Sequence, residues 1–145
     1  MKKRTYHTDG ACLNNGTDDA KAAWAYCCVQ DKCEGSGAVE GKQSNNTAEL
    51  TAIIEAMKHA KREKVTHIIV FSDSQYAIKC IVGEWARKKN GEFFDRIDKL
   101  AEAFSMVHFE WVRGHNGDPA NERADELCRA FLKCRPRNPK YSFKI

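Results

Sequence analysis

The apolar residues change their period near Asn45, where a strand-only stretch gives way to helices and strands in alternation, and that change limits the folds open to the chain. Upstream, Arg4–Cys12, Ala22–Val29 and the glycine-rich Gly35–Gly41 read as three strands, with Val29-Gln30-Asp31-Lys32-Cys33 as a polar turn. Alternation puts Tyr6 and Thr8 on one side of the first, His7 and Asp9 on the other. Strands joined by short turns suggest an antiparallel meander. Downstream, Leu50, Ile53, Ile54, Met57 and Ala60 follow helical spacing, with Asn46 as the expected N-cap. His67–Ser72 contains the short apolar run Ile68 to Phe71, which suits a strand buried on both faces. A second helix is marked by Ala77, Ile78, Ile81, Val82 and Trp85, and a third by Phe94, Ile97, Leu100, Ala101 and Phe104. Val107–Val112 is another strand. Asp118-Pro119 then opens a last helix, with the apolar stripe Ala120, Ala124, Leu127, Cys128 and Phe131. Strands separated by helices need crossovers and hence parallel pairing, so the expected class is α/β with one mixed sheet, part antiparallel and part parallel, and helices packed on it.

A chain of 145 residues is one domain's worth and can bury a core without disulfides or metals. With 42% apolar and 30% charged residues it has the balance of a folded soluble protein. No apolar run approaches the roughly 18 residues that span a bilayer. Met1-Lys2-Lys3-Arg4 leads into polar residues, so no leader peptide is expected. Seven cysteines cannot all pair within the chain, and none forms a C-x-x-C pair; they read as small buried apolar residues of a cytoplasmic protein.

The net charge of +4 is unevenly placed. Residues 1–128 hold 18 basic and all 20 acidic residues, a sum of −2; the six basic residues from Arg129 onward supply the whole excess. A basic arm of that kind attracts phosphate backbones or forms a solvated terminus.

Four acids stand at unusual places. Asp9 lies in a strand-like segment before Gly10, Glu49 early in a helix, Asp73 just past the apolar run, and Asp125 in the last helix. Carboxylates beside apolar strand residues are costly unless paired, and neighbouring carboxylates cannot all ionise cheaply without cations. Hard divalent ions with oxygen ligands answer that need. Each acid also has a local explanation: Glu49 could close a capping box with Asn46, Asp73 could cap the helix near Ser74, Asp125 could pair with Arg129, and Asp9 could accept turn hydrogen bonds beside Gly10.

Four strings surround these acids: Thr8-Asp9-Gly10-Ala11-Cys12, Asn45-Asn46-Thr47-Ala48-Glu49-Leu50, Ser72-Asp73-Ser74-Gln75-Tyr76, and the segment from Gly114-His115-Asn116-Gly117-Asp118 through Ala124-Asp125-Glu126-Leu127. In that order they resemble the signature segments of type 1 ribonuclease H, and the resemblance runs from about Thr5 to about Phe131. It implies a mixed five-stranded sheet of three antiparallel and two parallel strands, a catalytic domain over residues 1–134, and a basic tail over 135–145. It further implies an endonuclease that hydrolyses the RNA strand of RNA–DNA hybrids with two Mg²⁺ ions (Mn²⁺ as substitute), leaving 5′-phosphate and 3′-hydroxyl ends. Asp9, Glu49, Asp73 and Asp125 match the metal-binding carboxylates and His115 the mobile-loop histidine. Asn15, Asn45, Asn46 and Gln75 match polar residues that meet the hybrid in its minor groove, with Gly10 and Ala11 offering close backbone approach and Ser44 near a phosphate-binding position. The implied partner is an RNA–DNA hybrid, with no membrane association and a monomeric state.

The sequence also departs from some relatives. Arg87-Lys88-Lys89-Asn90-Gly91 passes almost directly into the next helix, so the extra basic handle helix is truncated or absent, and the basic tail is the candidate replacement for its grip. Two other functions fit the same scaffold: a nuclease acting on structured DNA, and a non-catalytic hybrid-binding module. The second predicts loss of a metal carboxylate, whereas all four are present.

Overall fold

The computed structural model describes residues 1–114 and 117–133. Its element order is β1 (Lys3–Leu13), β2 (Lys21–Cys28), β3 (Cys33–Ala38), α1 (Asn45–Arg62), β4 (His67–Ser72), α2 (Gln75–Ile81), α3 (Gly91–Ala101), β5 (Met106–Trp111) and α4 (Pro119–Lys133). The five strands form one sheet in the order β3-β2-β1-β4-β5, antiparallel between β1, β2 and β3 and parallel from β1 through β4 to β5.

Both faces of the central strand are covered. α1 packs on β1, β2 and β4, and α4 packs on β1, β2 and β3. Tyr6 points towards α1, where its hydroxyl meets His59 Nδ1 at 2.7 Å and its ring meets Tyr26 edge-on. His7 and Asp9 face the other way and are buried as well. The core between sheet and α1 is built from Leu50, Ile53, Ile54 and Met57 against Ile68 and Val70, with Phe94 and Ile97 of α3 closing it. Burial of side chains of that size stabilises by about 1.5–3 kcal/mol each.

Several boundaries differ from those the sequence suggests. The N-cap of α1 is Ser44, whose Oγ accepts from Thr47 N at 3.0 Å, while Thr47 Oγ1 accepts from Ser44 N at 3.1 Å; Asn46 is an exposed first-turn residue. A hydroxyl pair three residues apart satisfies two orphan amides at once, which a lone asparagine cannot. α2 ends at Ile81, because Gly83 takes a left-handed conformation (φ +87°), so Val82 and Trp85 continue the apolar spacing in sequence but lie exposed. β4 is fully buried only on the side of Ile68, Val70 and Ser72; Ile69 and Phe71 are half-buried. In α4 the buried residues are Asn121, Ala124, Cys128 and Leu132, whereas Ala120, Leu127 and Phe131 are half-buried. Cys27, Cys28, Cys80 and Cys128 are buried, Cys12 and Cys33 half-buried, and all six are free thiols. No helix among the described residues is long and apolar enough to cross a membrane. The basic tail and Cys134 lie outside the described residues.

Candidate active site

The parallel ladder between β1 and β4 ends with Thr8 opposite Ser72. One residue further on, Asp9 and Asp73 therefore stand side by side. Asp9 is still inside β1 and buried; Asp73 is the first residue past β4 and half-buried. Glu49 reaches them from α1, which approaches β1 closely at Gly10. A Cβ there would lie 2.3 Å from the Ala48 carbonyl carbon and 2.4 Å from the Glu49 amide nitrogen, so only glycine fits. Each of the three acids offers an oxygen, and these oxygens lie within 4.8 Å of one another.

The local alternatives for two of the acids are taken by other side chains. Ser44 and Thr47 complete the capping box of α1, and Glu49, which begins the second turn of the helix, has no part in it. Ser74 caps α2, its Oγ accepting from Ala77 N at 3.1 Å, which leaves the Asp73 carboxylate for the site. For the other two acids the local partner is present. Asp9 Oδ1 accepts from the Gly10 amide at 2.9 Å. Asp125 pairs with Arg129 one turn further along α4, and its charge also acts on the Asp9 carboxyl group. It thus borders the compact triad and raises its negative potential.

That potential is costly. Burial pushes the Asp9 carboxyl from its ordinary 3.8 up to about 8, with the charges of Asp73 and Asp125 adding to the effect. Burial, followed by the charges of Asp9 and Asp73, holds Glu49 well above the usual carboxylate range. Glu49 Oε1 is buried without a hydrogen-bond partner. A buried carboxylate oxygen with nothing to bind, aimed among two other acids, fits a divalent cation with oxygen ligands. Asp9, Glu49 and Asp73 together are placed to hold one, with Asp125 at their border.

Three supporting residues carried no signal that spacing alone would reveal. Trp111 at the end of β5 donates from Nε1 to the Asp73 backbone carbonyl at 3.1 Å. Gly114 passes so near Asp73 that a Cβ would lie 2.9 Å from Oδ2. The Cys128 thiol on α4 approaches the Asp9 carbonyl oxygen at 3.2 Å, and burial raises its pKa above the usual thiol range, so it serves as a neutral packing group.

The polar residues expected to meet substrate fall around this cluster. Asn15, in the turn after β1, accepts through Oδ1 from the Asn45 amide at 3.0 Å, which ties that turn to the start of α1. Asn45 and Asn46 are exposed in the first turn of α1, and half-buried Ser44 precedes them. Gln75 is exposed at the first position of α2, two residues from Asp73. Gly10 and Ala11 continue β1 beyond Asp9. His115 lies outside the described residues, in the link between β5 and α4.

A protein-family model described as RNase H matches residues 1–133. The chain belongs to the RNase H family. Members of the RNase H family are hydrolytic endoribonucleases, and the five-stranded mixed sheet with its flanking helices is the RNase H fold. A ribonuclease H of Nitrosococcus oceani is 36% identical over 139 residues, covering 86% of this chain and 90% of its own. The crystal structure of RNase H1 from the halophilic archaeon Halobacterium salinarum superposes with a TM-score of 0.77 at 27% identity, over 90% of this chain and 97% of that one. An RNase H1 crystallised with an RNA/DNA hybrid shares the fold at a TM-score of 0.72 and 20% identity, over 89% of this chain and 99% of that one.

Proposed function

We propose that this chain cleaves the RNA strand of RNA–DNA hybrids by metal-dependent hydrolysis, leaving 5′-phosphate and 3′-hydroxyl ends. The observation that carries the proposal is the convergence of Asp9, Glu49 and Asp73, with an unpartnered buried oxygen on Glu49, in a chain of the RNase H family. The hybrid-bound RNase H1 of the same fold supports the substrate class.

In this reading Asp9, Glu49, Asp73 and Asp125 hold Mg²⁺, or Mn²⁺ in its place. Bound there, a pair of such ions would supply the Lewis acidity that an in-line phosphoryl displacement needs, lowering the pKa of the attacking water and offsetting charge on the leaving 3′-oxygen. The carboxylates neutralise the cations and fix their position. Gly10 lets α1 bring Glu49 to the strand, and Trp111 holds the backbone of Asp73. His115 moves a proton or helps product leave, so His115→Ala slows turnover with little loss of binding.

Recognition rests on shape and sugar. A wide minor groove displays 2′-hydroxyls that donate and accept hydrogen bonds, and Asn15, Asn45, Asn46 and Gln75 offer short amides to them. Gly10 and Ala11 present backbone groups, and Ser44 stands where a phosphate passes. Asn15 already accepts from the Asn45 amide, which fixes the rim before substrate arrives. The protein acts as a cytoplasmic monomer, with residues 1–134 as the catalytic domain and residues 135–145 as a basic tail that adds grip.

The deciding experiment is cleavage of end-labelled RNA–DNA hybrid, double-stranded RNA and double-stranded DNA, each with Mg²⁺, Mn²⁺ or chelator. The expected result is cleavage of the hybrid's RNA strand alone, with either metal and not with chelator. Cleavage of DNA would favour a structured-DNA nuclease, and binding without cleavage a hybrid-binding module.

A further inference from the structure

At the far end of α1 from Glu49 lies a groove of about 660 Å³ between α1 and α3. Lys58, Lys61 and Arg62 of α1, Lys64 just past it, and Arg96 and Lys99 of α3 line it, with one leucine and no acid. Residues 1–128 carry 18 basic and 20 acidic residues, so a third of the basic residues of a net-acidic body converge on one concavity. Lys58 is paired with Glu55 at 3.2 Å. Among the described residues Lys61, Arg62, Lys64, Arg96 and Lys99 form no ion pair.

Helix C-termini attract cations, which accounts for Lys61, Arg62 and Lys99 in the last turns of their helices. It does not account for Lys58 and Arg96, which stand before those turns and face the same groove. Like charges gathered this way oppose folding, and a polyanion laid among them reverses the sign of that contribution. α1 and α3 run side by side, since Phe93 meets the space beside Thr51 and Glu55 while Lys99 meets that beside Lys61 and Arg62. Each helix presents cations one turn apart, so an extended phosphodiester strand between them meets positive charge on both sides. Lys61 is twelve residues beyond Glu49 on one helix, about 18 Å further along it, which separates the groove from the carboxylate cluster.

We propose that this groove is a second nucleic-acid-binding surface that takes the phosphate backbone of a segment remote from the carboxylates. The inference stands independently of the cleavage reading. Its test is equilibrium binding of fluorescently labelled double-stranded DNA by anisotropy, in chelator and over a range of salt concentrations. Chelator removes any metal bridge at Asp9, Glu49 and Asp73, so a failure to cleave hybrid leaves this measurement unaffected. The combined variant Lys61→Gln, Arg96→Gln and Lys99→Gln should bind on the order of tenfold more weakly at low salt, with the slope of log K against log salt shallower by about 2–3, near 0.9 per lost phosphate contact. A charge-matched control, Lys3→Gln, Lys21→Gln and Lys32→Gln, should retain most of the affinity and slope. Wild-type binding by the groove variant, or an equal loss in the control, would overturn the proposal. So would inorganic tripolyphosphate binding that the groove variant abolishes while its duplex binding stays at wild-type strength.

Discussion

Asp9 and Asp73 are neighbours because two parallel strands run out of register partners at the same place, one residue beyond Thr8 and Ser72. Neither carboxylate is placed there by a cap or a turn alone, and burial together with mutual repulsion makes the pair unfavourable in the absence of a cation. Replacing either with asparagine keeps the shape and removes a charge. Asp9→Asn and Asp73→Asn should each lower hybrid cleavage by about 10³-fold, as expected when several kcal/mol of metal-mediated stabilisation are lost at tenfold per 1.4 kcal/mol. Metal-free melting should rise or stay level in both, and cleavage at the parent rate by either variant would remove its carboxylate from the metal site.

Burial of Asp9, with the neighbouring charges adding to it, gives stability a definite pH dependence. Asp9 titrates near 8 in the folded state against 3.8 ordinarily, so the folded chain holds a proton that the unfolded chain releases between those values. This contribution is fully present below pH 3.8 and is lost as pH rises through about 8. In chelator, melting temperature should therefore fall as pH rises across that window. Saturating Mg²⁺ should flatten the fall, because it stabilises the ionised form. A chelator profile that rises from pH 5 to 8, or one that Mg²⁺ leaves unchanged, would contradict the assignment.

Gly10 links fold and site. Gly10→Ala forces a Cβ into the backbone of Ala48 and Glu49, and overpacking of this kind costs about 1–3 kcal/mol. Because the strain moves α1 away from β1, hydrolysis should fall further than the lost stability explains. Thermal melting and cleavage measured on the same preparation separate the two effects.

The start of α1 separates capping from recognition. Ser44→Ala removes the side chain that accepts from Thr47 and should cost about 1 kcal/mol, near 3 °C in melting temperature. Asn46→Ala should leave melting unchanged and raise KM for hybrid, since its side chain is exposed and caps nothing. Equal destabilisation by both variants would contradict the cap assignment.

Much of the architecture was legible because strand and helix periods differ, and the change near Asn45 separates the meander from the crossovers. The boundaries that moved did so for local reasons. Gly83 stops α2 although Val82 and Trp85 continue its spacing, and the hydroxyl pair of Ser44 and Thr47 starts α1 ahead of Asn46. The acids at the site were nameable from their surrounding strings, but their convergence depends on a strand register and on a backbone approach at Gly10 that no spacing rule contains. Trp111 and Cys128 were invisible for the same reason, since each touches its aspartate through a backbone carbonyl far away in sequence. The basic groove was hidden because its lysines and arginines belong to two separate helices, each ordinary by itself.

The most direct test of the account is anomalous diffraction from crystals grown with Mn²⁺ and an RNA–DNA hybrid. The account predicts manganese in contact with carboxylate oxygens of Asp9, Glu49 and Asp73, beside a phosphate of the RNA strand. Hybrid bound with manganese elsewhere, or with none at these three side chains, would contradict it.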